Sequence, residues 1–182
     1  MEEDKMQLFI LDHDPAQAAR MLSDIHLRKM CLETSQILSA LITNKGEELL
    51  PGMPKICNRN HPVIKALDNT AKINWVLSYN DELHREYFRR FHKHHAYSFL
   101  CRAYREKLFS VLAGEYADLW SFARAFKGIT IRTKDIVEAY REYYRFKKSI
   151  IRNWKYTNAE EPEWLKPITA EGFPRCGQTV PE

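Results

Sequence analysis

The stretch from Asp24 to Gln36 constrains the fold of this chain more than any other. Wound as an α-helix, at about 100° per residue, it puts His26, Lys29, Glu33 and Gln36 on one narrow stripe. Met21, Leu22, Ile25 and Leu32 lie on one side of that stripe, and Met30, Ile37 and Leu41 on the other. An ordinary surface helix keeps its charges opposite its apolar face. Here the polar groups are wedged between two apolar flanks, so other elements have to cover the helix on two sides. A base, an ammonium, a carboxylate and an amide lined up in partial burial suit proton transfer or amine chemistry. The same pattern also suits a structural ion pair between Lys29 and Glu33 at i,i+4.

The chain has 182 residues, enough for one domain with a sizeable core. Its 45% hydrophobic and 29% charged residues are those of a soluble globular protein. No run of about 18 apolar residues occurs, so no membrane span is expected. Met1-Glu2-Glu3-Asp4-Lys5 lacks the basic-then-apolar layout of a secretory signal, and a cytoplasmic location is the expectation. Cys31, Cys57, Cys101 and Cys176 form no C-x-x-C pair, which points to reduced thiols rather than a four-cysteine zinc site.

The rest of the chain reads as further helices. Gln7–Leu11 is a short apolar run that fits either a lone strand or a buried extended lead-in. Asp14-Pro15 starts a helical pattern that reaches about Thr43, with a break near Ser23-Asp24, and Asn44-Lys45-Gly46 ends it. A second pattern runs from Pro62 to about His92, broken near Asp68-Asn69-Thr70. Ala96–Phe126 has the longest periodicity, carried by Phe99, Tyr104, Leu108, Val111, Leu112, Tyr116 and Leu119, and Lys127-Gly128 stops it. A last helix is expected from Thr133 to about Lys148. The architecture is therefore all-α: a single compact domain over 1–165 and a Pro- and Gly-containing tail over 166–182.

Two basic segments are candidate nucleic-acid contacts. Between Tyr140 and Tyr156, Arg145, Lys147, Lys148 and Arg152 alternate with Tyr144, Trp154 and other aromatics. Cations engage phosphates, and aromatic faces stack on bases or hold an extruded nucleotide. The alternative is that the aromatics are core and the cations the solvated face of a helix. Arg89 and Arg90 belong to a second patch, with Arg85 and Lys93. His61, before Pro62, stands at a helix start and suits either a phosphate contact or a plain cap. His92, His94 and His95 do not share one helical face, so no metal is expected there. There is likewise no phosphate-binding glycine loop and no dinucleotide fingerprint, and no cofactor is expected.

The block from Ser23 to Leu38 resembles a set of small, uncharacterised phage proteins with an aspartate, a histidine, a lysine and a glutamate spaced as Asp24, His26, Lys29 and Glu33 are here. Asn60-His61-Pro62, Asn74-Trp75, Tyr143-Tyr144, Lys147 and Pro162-Glu163-Trp164 extend that resemblance over about residues 6–165. The same helix is similar to that of the phage pyrimidine-dimer DNA glycosylases with lyase activity, a compact all-α fold. Their aspartate, His-Leu and glutamate match Asp24, His26-Leu27 and Glu33 without a gap. In that family the glutamate is catalytic, and an N-terminal amine attacks the sugar C1′ to form a Schiff base. This chain departs from the pattern: Leu32 and Gln36 stand where that family has arginines, and several residues precede the apolar run. The amine is then expected from Lys29 or a processed N-terminus.

The resemblance implies a DNA-acting enzyme of glycosylase/lyase type working in the host cytoplasm of a phage. Glu33 would polarise or deprotonate, Lys29 supply an amine and His26 tune both. A base- or nucleotide-modifying enzyme on the same scaffold is the first alternative. A non-catalytic nucleic-acid clamp or host-factor inhibitor is the second.

Overall fold

The computed structural model describes residues 6–56, 58–109 and 121–166. Among them are six α-helices: α1 (Pro15–Arg20), α2 (Asp24–Asn44), α3 (Pro62–Lys65), α4 (Thr70–Phe91), α5 (Cys101–Phe109) and α6 (Ile136–Ile150). Short 3-10 turns occupy Ser98–Leu100 and Glu163–Leu165. The all-α expectation holds, and no strand occurs among the described residues.

Local chemistry sets most helix ends. The Asp14 carboxylate accepts from the Ala16 N–H at 2.9 Å, and Pro15 fills the first helical position. Asn69 accepts from the Lys72 N–H and Asp135 from the Glu138 N–H, starting α4 and α6. The α4 helix ends at Phe91, because His92 adopts a left-handed conformation with φ 51°. Beyond it the three nearby histidines lie on a turn rather than on a helix, so the argument from one helical face does not apply to them.

The α2 helix runs through the core and packs against α4 and α5. Leu27, Met30, Cys31, Ile37, Leu38 and Leu41 are all buried, but the other expected flank is covered only in part: Leu22 is buried, Met21 and Leu32 are half-buried and Ile25 is 43% exposed. Gln7–Leu11 is a buried lead-in and not a strand. Side chains satisfy its backbone in place of a ladder: Tyr79 Oη donates to the Phe9 carbonyl at 3.2 Å, and Arg141 Nε to the Leu11 carbonyl at 2.9 Å.

The long helix expected over Ala96–Phe126 is corrected. Among the described residues of that span only Cys101–Phe109 is α-helical, while Val111, Leu112, Tyr116 and Leu119 lie outside the described residues. Ser121–Lys127 is irregular because its carbonyls serve other partners. Ala123 accepts from Tyr140 Oη at 2.8 Å and Ala125 from the Gln7 side chain, while Phe126 packs edge-on against Tyr140. Likewise α6 starts at Ile136 and not Thr133, since the Thr133 and Lys134 carbonyls accept from Arg124. Gly128, at φ +77°, turns the chain where an added Cβ would come within 3.2 Å of the Phe146 ring.

The segment after α6 folds back over α2. The Asp24 carboxylate accepts from the Thr157 N–H and, at 2.6 Å, from its hydroxyl. The Asp24 N–H donates in turn to the Lys155 carbonyl at 2.8 Å. The expected tail beyond Lys166 lies outside the described residues.

Candidate active site

Glu33 sits on the face of α2 that meets the buried lead-in. Its side chain is 9% exposed, and its Oε1 lies 3.5 Å from Lys29 Nζ, one helical turn earlier. Oε2 accepts from the Gln7 backbone N–H at 3.1 Å. The carboxylate is therefore held from two sides, by an ammonium and by a backbone dipole. Lys29 is 27% exposed and leads outward. It opens into a cleft of about 760 Å³ lined by Arg28, Lys29, Asn153 and Lys155, with Asp24, Ile25 and Thr157 completing the wall. Through Lys29 the pair thus adjoins a cavity of mostly basic and polar lining.

His26, the third member of the stripe, lies in an aromatic box. Phe9 and Trp154 meet its ring edge-on with centroids at 4.7 and 5.1 Å, and Tyr144 is tilted at 5.0 Å. Its Nδ1 is 3.0 Å from the Ser23 hydroxyl. Tyr144 is fully buried, accepts from the Ser23 N–H at 2.7 Å and donates to the Ser23 hydroxyl. Burial holds its phenol well above the ordinary tyrosine range. Together His26, Tyr144 and Trp154 fix the start of α2, and through it the direction in which Lys29 and Glu33 project.

The remaining candidates separate into buried and surface groups. Arg90 is interior and pairs with Glu86 at 2.6 Å and Asp24 at 3.2 Å, so no phosphate reaches it. Arg89 forks onto Glu86 through Nε and Nη2 at 2.7 and 2.6 Å. Burial opposes ionisation of Glu86, yet the hydrogen bonds from Arg89 and Arg90 hold its carboxyl below the ordinary value. His61 is buried and caps α3, its Nδ1 accepting from the Val63 N–H at 3.3 Å. Lys147 is buried over the Tyr143 ring. Lys148 pairs with Glu161 at 2.6 Å, and Arg145 donates to the Trp164 carbonyl at 3.1 Å. Arg152 is exposed, two residues after α6.

Sequence reasoning missed Gln7, Arg28 and Asn153 as parts of this site. Arg28 carried a local signal, since it adjoins Lys29 on the same helix; its stacking over the Phe91 ring at 4.6 Å appears only in the fold. Gln7 and Asn153 carried none, because long-range folding alone brings them to α2.

A family model described as pyrimidine dimer DNA glycosylase matches residues 6–98, just over half of the chain. The matched span contains Gln7, His26, Lys29 and Glu33 and ends before α5. Among curated proteins and solved structures nothing matches. No helix among the described residues is long and apolar enough to cross a membrane. The matched span carries the Lys29–Glu33 pair, and by that match the chain belongs to the pyrimidine dimer DNA glycosylase family.

Proposed function

We propose that this protein cleaves a damaged or modified base from DNA and then acts as a lyase on the resulting site, with Glu33 and Lys29 as the reacting pair. The observation that carries this reading is the 3.5 Å approach of Lys29 Nζ to Glu33 Oε1, with Lys29 itself lining the cleft. Glu33 takes a proton from the Lys29 ammonium, and the free amine attacks C1′ as the glycosidic C–N bond breaks. The base departs with that bond's electron pair and takes the proton that Glu33 holds, which returns Glu33 to a carboxylate. Ring opening then gives an iminium between Lys29 and C1′, with the ring oxygen protonated to a hydroxyl. Abstraction of a C2′ proton by Glu33 expels the 3′ phosphate, breaking the C3′–O bond. His26, enclosed by rings, positions the helix that carries both groups. Arg28, Lys155 and Arg152 hold the strand through its phosphates.

A second amine is favoured by one distance. Gln7 N lies 3.1 Å from Glu33 Oε2, so processing that made Gln7 the first residue would place an α-amine against the same carboxylate.

Borohydride trapping on an oligonucleotide with an abasic site tests both. A covalent adduct is expected with wild type and should vanish in Lys29→Ala while that variant remains folded and binds DNA. An adduct that persists in Lys29→Ala and maps by mass spectrometry to the N-terminal peptide assigns the amine to a processed end. DNA binding without any adduct, unaffected by Glu33→Gln, removes lyase chemistry and leaves a modifying enzyme or a clamp. Neither adduct nor DNA binding would sink the DNA reading altogether.

A further inference from the structure

A second constellation lies on the opposite side of α2. Cys31 is turned about 200° from Glu33 around the helix axis and faces α4. There its sulfur, a His84 nitrogen and a His95 nitrogen all lie within 4.8 Å of one another. These residues come from α2, α4 and the turn after α4, so only the tertiary fold brings them together. The left-handed residue His92 lets the chain return after Phe91 and sets His95 against His84, their ring centroids 5.4 Å apart.

We infer that Cys31, His84 and His95 form a binding site for a zinc-class divalent cation. His84 is 5% exposed, yet neither of its ring nitrogens has a hydrogen-bond partner among the described residues. A buried imidazole normally satisfies at least one nitrogen, and a cation would supply the missing partner. Cys31 is buried and in no disulfide, so its sulfur is available as a thiolate ligand. One thiolate and two imidazoles suit a borderline-soft ion such as Zn²⁺ and do not suit the oxygen-seeking Mg²⁺ or Ca²⁺. Tetrahedral zinc, with bonds of about 2.0–2.3 Å, separates its ligand atoms by roughly 3.3–3.8 Å, so closure takes a side-chain shift of about 1 Å.

His95 Nδ1 accepts only a long 3.4 Å bond from the Tyr97 N–H, a weak contact that does not hold the ring firmly. His84 also lines a cleft of about 500 Å³, together with Asp81, Ser98 and Cys101, which gives the ion a route in. The ion would tie α2 to α4 and to the turn that follows. This inference is independent of the glycosylase reading.

The test is metal analysis of the tag-free full chain, with Co²⁺ as the spectroscopic probe. One equivalent of zinc should copurify or bind after chelator treatment. Added Co²⁺ should give tetrahedral visible bands and a near-ultraviolet thiolate-to-cobalt band. Cys31→Ala should lose the thiolate band, and His84→Asn should lose tight binding. His94→Asn, on the same cleft but outside the cluster, should keep both. If wild type binds neither ion tightly, or its Co²⁺ spectrum lacks a thiolate band, the site does not exist, whatever the variants do. Retention of full binding by folded Cys31→Ala and His84→Asn would overturn it equally.

Discussion

The Arg90 guanidinium donates to the Glu86 and Asp24 carboxylates and to the Leu22 and Arg20 carbonyls. With that many partners in the interior it is a fold determinant, although in the sequence it sits in a basic patch. Replacing it with methionine leaves Glu86 and Asp24 as buried charges short of a partner, a change that costs roughly 3–5 kcal/mol in such pairs. Urea unfolding should show that loss for Arg90→Met, while affinity for DNA stays unchanged at temperatures where the variant is folded. Glu33 should respond in the reverse way. Glutamine at position 33 keeps the shape and still accepts from the Gln7 N–H, so stability should change little. It is no longer a base, and turnover should fall by about 10²–10⁴-fold, the range typical of a general acid–base group. A Glu33→Gln variant that is clearly destabilised yet keeps its specific activity while folded would identify the Lys29 pair as structural.

Among the elements, the lead-in from Met6 to Leu11 links the core to the site. Phe9 contacts His26 edge-on and stacks on Tyr143, and Gln7, two residues earlier, holds Glu33. Truncation of Phe9 to alanine should therefore cost about 3–5 kcal/mol. It should also lower trapping yield in the surviving folded protein, because the Glu33 support moves with the segment; calorimetry and borohydride trapping read the two effects separately. The helix start at Asp14-Pro15 was legible in sequence because cap and helix are neighbours, whereas the Asp135 cap was passed over for a start at Thr133. The irregular course of Ser121–Lys127 was not legible. Periodic apolar residues continue through Phe122 and Phe126, but carbonyls there are taken by Tyr140 and Gln7, partners that periodicity does not reveal. The same holds for α6, where Tyr143 and Tyr144 are adjacent yet both buried, because Phe126 covers one and Trp154 the other.

At the scale of the whole molecule, local spacing was enough to pair Lys29 with Glu33, since four residues on a helix bring them together by geometry alone. The cleft beside them could not be read in advance, because Asn153, Lys155 and Thr157 reach it only when the chain folds back onto Asp24. The same folding decides which cations face outward. The formal charge is only +4, and many basic groups have acidic partners: Arg85 with Glu82, Arg89 with Glu86, Arg105 with Asp81, Lys148 with Glu161. Such pairs contribute little to attraction for DNA, because the carboxylate cancels the field a phosphate would feel. Arg28, Lys29 and Lys155 at the cleft, with the exposed Arg152, form the surface a strand would meet. If that surface binds DNA through about four phosphates, the logarithm of affinity should fall with the logarithm of salt at a slope near −3.6 for a duplex. Arg152→Ala with Lys155→Ala should reduce the slope by about 2 and weaken binding alike for every sequence, leaving the rate at saturating DNA close to wild type. Fluorescence anisotropy across a salt series measures the slope. Should the double variant keep the wild-type slope while Arg85→Ala reduces it, the strand would lie along α4 and not across the cleft that holds Lys29.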